Sequence, residues 1–182
     1  VIAAARDIRE EVMISLEVME GARSIEVSRV EFADIDRWQM TVRLTGKGDH
    51  VREVPLTQST LDRIDKYVLE ERGSRAGRLV QSRVRSVWNT EDGVKSHTIY
   101  VLVGRAFRRA GVAESGHALR HTAAYGLIEA GATVRHVQEF LGHQHLNTTE
   151  IYMKRAKLEE IRPFTGTKRY ELGGVSHLAE AS

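Results

Sequence analysis

The chain contains no cysteine, which excludes disulfides, thiol nucleophiles and zinc sites built on thiolates. It also lacks a long apolar run. Val1 to Ala5 are apolar, but Arg6, Asp7, Arg9, Glu10 and Glu11 follow at once, so the start reads neither as a secretory signal nor as a membrane span. A cytoplasmic protein without membrane contact is expected. There is no G-x-x-x-x-G-K-[ST] loop to cradle a nucleoside triphosphate, no internal repeat and no low-complexity tract. Charge of one sign is missing too: 27 Lys and Arg against 25 Asp and Glu leave a formal net charge of +2. The sequence pI near 9.0 is by itself only a faint pointer to nucleic acid. What remains is a chain of 182 residues, 41% of them hydrophobic, enough for one domain with a real core. It begins at Val1 with no initiator methionine, and is expected to be part of something longer.

Arginine is present in runs, at Arg72, Arg75, Arg78, Arg83 and Arg85 and again at Arg105, Arg108 and Arg109. Such runs are ordinarily solvated faces and gain meaning only beside a DNA site. The periodicities describe a mainly helical α+β chain. Ile8, Val12, Leu16 and Met19 mark one face of a first helix closed by Gly21, and Ser24 is placed to cap a short second helix. Trp38, Met40, Val42 and Leu44 alternate with polar residues as in a half-buried strand. Thr45 to Asp49 is turn chemistry, and Val51 to Val54 returns as a second strand, so a β-hairpin with Lys47 at its tip is expected. Thr57 caps a helix whose Leu61, Ile64, Val68 and Leu69 form a stripe ending at Gly73. The basic stretch from Gly77 to Gly93 is ambiguous, with extended character around Leu79 and Val80. Further helices are expected from Ser96 to Gly111, from about His117 to Gly131, and over Val134, Val137 and Leu141 to Gly142. Asn147 with Glu150 makes a capping-box pattern that starts a last helix just before Tyr152. Beyond Pro163 the chain reads as a tail.

Two stretches carry chemistry. In H-A-L-R-H, His117 and Arg120 stand three apart and share a helix face. Arginine forks onto two oxygens of an oxyanion while histidine donates or moves a proton, so the pair suits a phosphate. The plain alternative is a surface His and Arg on an amphipathic helix. His117 and His121 also stand at the spacing of a zinc pair, with His143 and His145 as further ligands. However, no Glu lies between them as in H-E-x-x-H, and Arg120 would repel a cation, so no metal is expected. In L-G-H-Q-H-L-N-T-T-E-I-Y, His143 follows a helix stop and Tyr152 lies a short loop and a turn and a half of helix later. A tyrosine hydroxyl with a free pKa near 10 is a poor nucleophile, but surrounding cations lower the cost of its anion and make attack on phosphorus credible. Tyr67, Tyr100, Tyr125 and Tyr170 read as packing residues.

The run G-H-A-L-R-H-T-A-A-Y-G-L-I-E-A-G, then L-G-H, then T-T-E-I-Y closely resembles the C-terminal signature of the phage-integrase family of tyrosine recombinases. The N-terminal half agrees: Gly21 to Glu26 matches the family's G-x-R-x-x-E, and Gly46-Lys47-Gly48 with Arg52 and Pro55 matches its G-K-G-x-x-x-R-x-x-P turn. The likeness spans roughly residues 3 to 160. Ala123 and Tyr125 depart from the usual pattern, as packing changes.

The resemblance implies a tyrosine recombinase catalytic-domain fold over residues 1–162, with 163–182 a C-terminal tail and the family's N-terminal core-binding domain outside this chain. It implies a site-specific recombinase or integrase that cuts and rejoins DNA through a covalent 3′-phosphotyrosine, without metal, ATP or other cofactor. Tyr152 would attack the scissile phosphate. Arg23 and Arg120 would grip its non-bridging oxygens, and Lys47 would protonate the leaving 5′ oxygen. His117 would help move the tyrosine proton, His143 would donate a hydrogen bond to the phosphate, and Glu26 would orient the basic groups. Double-stranded DNA at a specific recombination site and a tetramer of the chain on DNA are the implied partners. A type IB topoisomerase-like relaxing enzyme and a catalytically idle DNA-binding protein stand as alternatives.

Overall fold

The computed structural model describes residues 1–84, 87–112 and 116–142. It is helix-rich, with a small three-stranded antiparallel sheet. Helix α1 (Ile8–Val18) begins where the Asp7 carboxylate accepts the Glu10 backbone N–H at 2.7 Å, and Glu10 in turn accepts the Arg6 N–H at 2.9 Å. This helix is central. It packs against α2 (Ser24–Val27), α3 (Gln58–Tyr67), α4 (Ser96–Arg109) and α5 (Gly116–Glu129). Being surrounded, it buries polar as well as apolar residues: Val12, Met13 and Leu16, but also Glu10, Ser15 and Glu17. Met19, expected on its inner face, lies past the helix end and is 40% exposed.

The sheet runs β1 (Ile35–Asp36), β2 (Thr41–Thr45), β3 (Val51–Pro55), in that spatial order. Val42 and Leu44 point into the core with Val54, and each such burial contributes roughly 2 kcal/mol relative to exposure. The alternating pattern that suggested a strand from Trp38 holds only from Thr41 onward. The Asp36 carboxylate accepts the N–H groups of Trp38 and Gln39 at 2.9 and 2.8 Å, folding the chain into a turn that leaves Trp38 91% exposed and Met40 left-handed at φ 53°. The hairpin from β2 to β3 is the expected one, with Lys47 exposed in its turn.

Thr57 caps α3 as expected, accepting the Thr60 N–H. The helix then widens into a π-type turn over Val68–Arg72. That widening rotates Leu69 to 86% exposure, off the stripe where its spacing placed it, whereas Tyr67 is fully buried. The ambiguous basic stretch holds a second hairpin, β4 (Gln81–Val84) and β5 (Val87–Gly93). Three arginines of the first run are more structural than their composition suggested. Arg72 is buried, donates to the carbonyls of Ser74, Ala76 and Arg78, and stacks 4.4 Å from the Phe32 ring; Arg75 pairs with Asp65 at 2.8 Å and Arg78 with Glu31 at 3.3 Å. Arg109, from the other run, donates to the Ala4 carbonyl at 2.8 Å and pairs with Glu10. Tyr100 is 47% exposed, not packed in the core. Helix α5 and the short α6 (Val134–Leu141) close the described fold, packed on one another through Ala124, Val137 and Leu141. No helix among the described residues is long and apolar enough to cross a membrane.

Candidate active site

The spacing of G-x-R-x-x-E has a local cause. Gly21 is left-handed, at φ 61°, and turns the chain out of α1. Arg23 then stands as the N-cap of α2, and Glu26, at the third helical position, reaches back to accept the Arg23 backbone N–H at 2.7 Å. Gly21 is also a point of close approach. A Cβ there would lie 2.6 Å from the Phe140 ring, so α6 can dock on this turn only because the side chain is absent.

Glu26 is fully buried and collects cations. Arg23 Nη1 donates to Oε1 at 2.9 Å. Arg52, from β3, forks onto both oxygens, with Nη2 to Oε2 at 2.9 Å, and Arg120 Nη1 of α5 lies 3.8 Å from Oε2. Burial acts to raise the Glu26 pKa, but the Arg52 fork and the Arg23 contacts outweigh it and hold the carboxyl below the ordinary range. Nearby, Glu17 of α1 accepts the Ser24 hydroxyl at 2.7 Å, and its burial pushes the carboxyl up to about 7, against the pull of Ser24 and Arg120.

The same three arginines meet the C-terminal end of α6. Arg52 Nε donates to the Phe140 carbonyl at 2.8 Å, Arg120 Nη2 to that of Leu141 at 2.7 Å, and Arg23 Nη2 to that of Gly142 at 3.1 Å. Three successive carbonyls at the negative end of a helix thus each hold one guanidinium. The Gly21 carbonyl accepts from both Arg52, at 3.1 Å, and Arg120. Gly142 ends the helix in the left-handed conformation, φ 62°, and a Cβ on it would press within 3.0 Å of Arg52 Cδ. Lys47 belongs to the same neighbourhood through its turn: a Cβ on Gly46, the preceding residue, would stand 3.3 Å from Glu26 Oε1.

Of the residues expected at the site, Arg23, Glu26 and Arg120 therefore meet directly, and the Lys47 turn adjoins them. Arg120 is buried, unlike the surface arginine of the plain alternative. His117 opens α5, one turn before Arg120. His143 and Tyr152, with the capping pattern at Asn147, lie outside the described residues; His143 directly follows Gly142. Arg52 stands in the turn motif with nothing in its spacing to mark it as a partner of Glu26, and Glu17 carries no signal at all, since a glutamate on a helix reads as solvent-facing. Two clefts of the described surface lie apart from this cluster, one between Phe32, Ile64 and Arg75 and another between Ile2, Phe107 and Tyr125.

The phage integrase family model matches residues 1–159. The tyrosine recombinase XerC of Corynebacterium efficiens is 32% identical over 157 residues, covering 79% of this chain and 46% of that protein. The crystal structure of XerA recombinase superposes with a TM-score of 0.74 at 25% identity, over 90% of this chain and 61% of that one. The XerH site-specific recombinase bound to its difH substrate, in a pre-cleavage complex, gives 0.63 at 26% identity, over 80% of this chain and 42% of that one. The chain spans about half the length of the curated relatives it matches. With its catalytic-domain fold and with the family match covering residues 1–159, the chain belongs to the phage integrase family of tyrosine recombinases.

Proposed function

We propose that this chain carries the catalytic centre of a site-specific DNA recombinase, with residues 1–162 as the catalytic domain and 163–182 as a tail. Tyr152 attacks the scissile phosphorus, the bond to the 5′ oxygen breaks, and a 3′-phosphotyrosyl link holds the strand until the free 5′ hydroxyl of a partner strand reverses the step. Arg23 and Arg120 hold the non-bridging oxygens. Lys47 gives a proton to the leaving oxygen, His117 manages the tyrosine proton, and His143 donates to the phosphate. Glu26 keeps the arginines in place. Phosphoryl transfer is mostly positioning and charge stabilisation, so such a set needs neither metal nor ATP. The covalent link conserves the energy of the broken phosphodiester.

The observation that carries this reading is the convergence of Arg23, Arg120 and the Lys47 turn on one buried carboxylate beside the helix end that leads into His143. The partner is double-stranded DNA at a recombination site, recognised in the cytoplasm, with four copies of the chain assembling on two DNA segments. Incubation with a nicked suicide substrate followed by denaturing electrophoresis tests the chemistry. Wild type is expected to accumulate a covalent protein–DNA band and Tyr152→Phe none. A band of equal strength from the phenylalanine variant would reject Tyr152 as the nucleophile.

A further inference from the structure

A fourth guanidinium stands next to this cluster and bonds to the turn that carries Lys47. Arg29 lies two residues past the end of α2, where its N–H continues the helical turn by donating to the Glu26 carbonyl at 2.9 Å. Its Nη1 donates to the carbonyl of Gly46, the residue before Lys47, and lies 3.5 Å from Oδ1 of Asp49, two residues after it. Its own carbonyl accepts from Arg78 Nη1. The side chain thus bridges the segment that carries Arg23 and Glu26 to both flanks of the turn that carries Lys47.

The ends of that turn are set by the β2–β3 ladder, whose last pair is Thr45 and Val51, and a backbone bond from Gly46 N–H to the His50 carbonyl at 2.8 Å closes it around a single 3-10 turn over Lys47–Asp49. Two of its residues, Gly48 and Asp49, sit at φ 70° and 55°, a region that a non-glycine residue enters only against steric resistance. Residues 47 to 50 are exposed, so no core packing fixes where the turn points. The Asp49 contact is solvated and weak, so the charge-assisted bond to the Gly46 carbonyl is the contact by which Arg29 holds the turn. A long, exposed lysine delivers a proton efficiently only if its base is registered to the phosphate, because an error near 1 Å in such a placement can cost about a hundredfold in rate.

We propose that Arg29 is a positioning residue that holds the Lys47 turn over the phosphate site. The inference rests on the reading of Lys47 as the proton donor to the 5′ oxygen. The test separates the two by changing the leaving group. Suicide substrates are made with the ordinary 5′ oxygen, or with sulfur in its place at the scissile phosphate. The sulfur leaves as a thiolate when the P–S bond breaks and needs no proton. Rates of covalent complex formation are measured for wild type, Lys47→Ala, Arg29→Ala and Arg29→Lys at saturating protein. Arg29→Ala is expected to be about 10- to 100-fold slow on oxygen and within about twofold of wild type on sulfur; Arg29→Lys, which keeps a charged donor on a long side chain, should lie between wild type and Arg29→Ala on oxygen. Near-wild-type rates on sulfur also establish that the variants are folded. Equal losses on both substrates, as expected if Arg29 merely grips DNA or supports the fold, overturn the proposal, and so does no loss on oxygen. If Lys47→Ala is itself slow on both, the proton-donor reading fails, whatever Arg29 does.

Discussion

Replacing Glu26 by glutamine tests whether one buried carboxylate holds the arginine cluster together. The change preserves shape and leaves one oxygen to accept the Arg23 N–H. It places an amide N–H₂ where the other oxygen accepted, so donors face donors, and it removes the negative charge that Arg23, Arg52 and Arg120 share. A unit charge pair about 4 Å apart is worth roughly 4 kcal/mol at the effective dielectric of a protein site, and desolvation of the carboxylate offsets part of that. Removing one partner of a buried pair commonly costs about 3–5 kcal/mol, because the other charges stay buried and uncompensated. With Glu26 fully buried and three guanidiniums around it, that range is the expectation. Urea unfolding followed by circular dichroism measures it: at a slope of about 2 kcal/mol per molar for a domain of this size, the midpoint should fall by about 2 M. A domain with only about 5–15 kcal/mol in hand comes close to unfolding, so the double variant Glu26→Gln/Arg52→Gln is made alongside. Deleting Arg52 as well removes the most tightly held stranded charge, and the cycle should return a coupling of at least about 1 kcal/mol. A single-variant loss below about 1 kcal/mol, or a coupling near zero, would falsify the view that Glu26 organises these cations.

Two further expectations concern stability. Burial raises the Glu20 carboxyl to about 7, even though Thr57 and Thr60 donate to it. A carboxyl raised in the folded state makes that state bind more protons between about pH 4.5 and 7, so its contribution to stability falls as pH rises through that window, by roughly 3 kcal/mol in total. The stability of wild type minus that of Glu20→Gln should therefore decline from pH 4.5 to 8 by an amount of that order; a difference independent of pH would refute it. Gly21→Ala forces a side chain into a left-handed position and against the Phe140 ring, and urea titration should show a loss of about 2 kcal/mol. A wild-type midpoint would mean that α6 is not docked where the Gly21 turn requires.

How much of this was legible in the sequence depends on the range of the interactions. Helix starts and stops are local, and Thr57, Gly21 and Gly142 marked them correctly. The hairpin under Lys47 was equally local. Errors arose where a neighbour within a few residues competed with the pattern: the Asp36 carboxylate captured Trp38 and Gln39 for a turn, and the π-type turn at Val68 rotated Leu69 outward. The burial of Glu17 and Glu20 was invisible for a different reason, and Glu26 was named only through the family pattern. Glu20 is satisfied by Thr57 and Thr60, and the Arg52 fork closes on Glu26 and on Phe140, 26 and 88 residues distant. Periodicity assigns a charged residue to solvent, and only the assembled fold supplies the partner that reverses this. Arg23, Lys47 and Arg120 were named through a family pattern. Their spacing alone offered nothing to bring them together.

The arrangement also bears on a problem any metal-free phosphoryl-transfer centre must solve. Several cations have to stand together before the substrate arrives, and they repel one another. A phosphodiester carries one negative charge, too little to assemble them at the moment of binding. Here the repulsion is balanced in the fold itself, by Glu26 from one side and by three successive α6 carbonyls from another. The two differ in consequence. A full negative charge at the surface of the site would repel the phosphate, and Glu26 avoids this by lying wholly inside. The carbonyls carry only partial charge and belong to the last turn and the cap of α6, and the cap residue, Gly142, directly precedes His143, so the groups that hold the arginines also fix where that chain segment begins. On the proposed reading, the work of gathering the cations is done during folding, and their field is already directed when the phosphate enters.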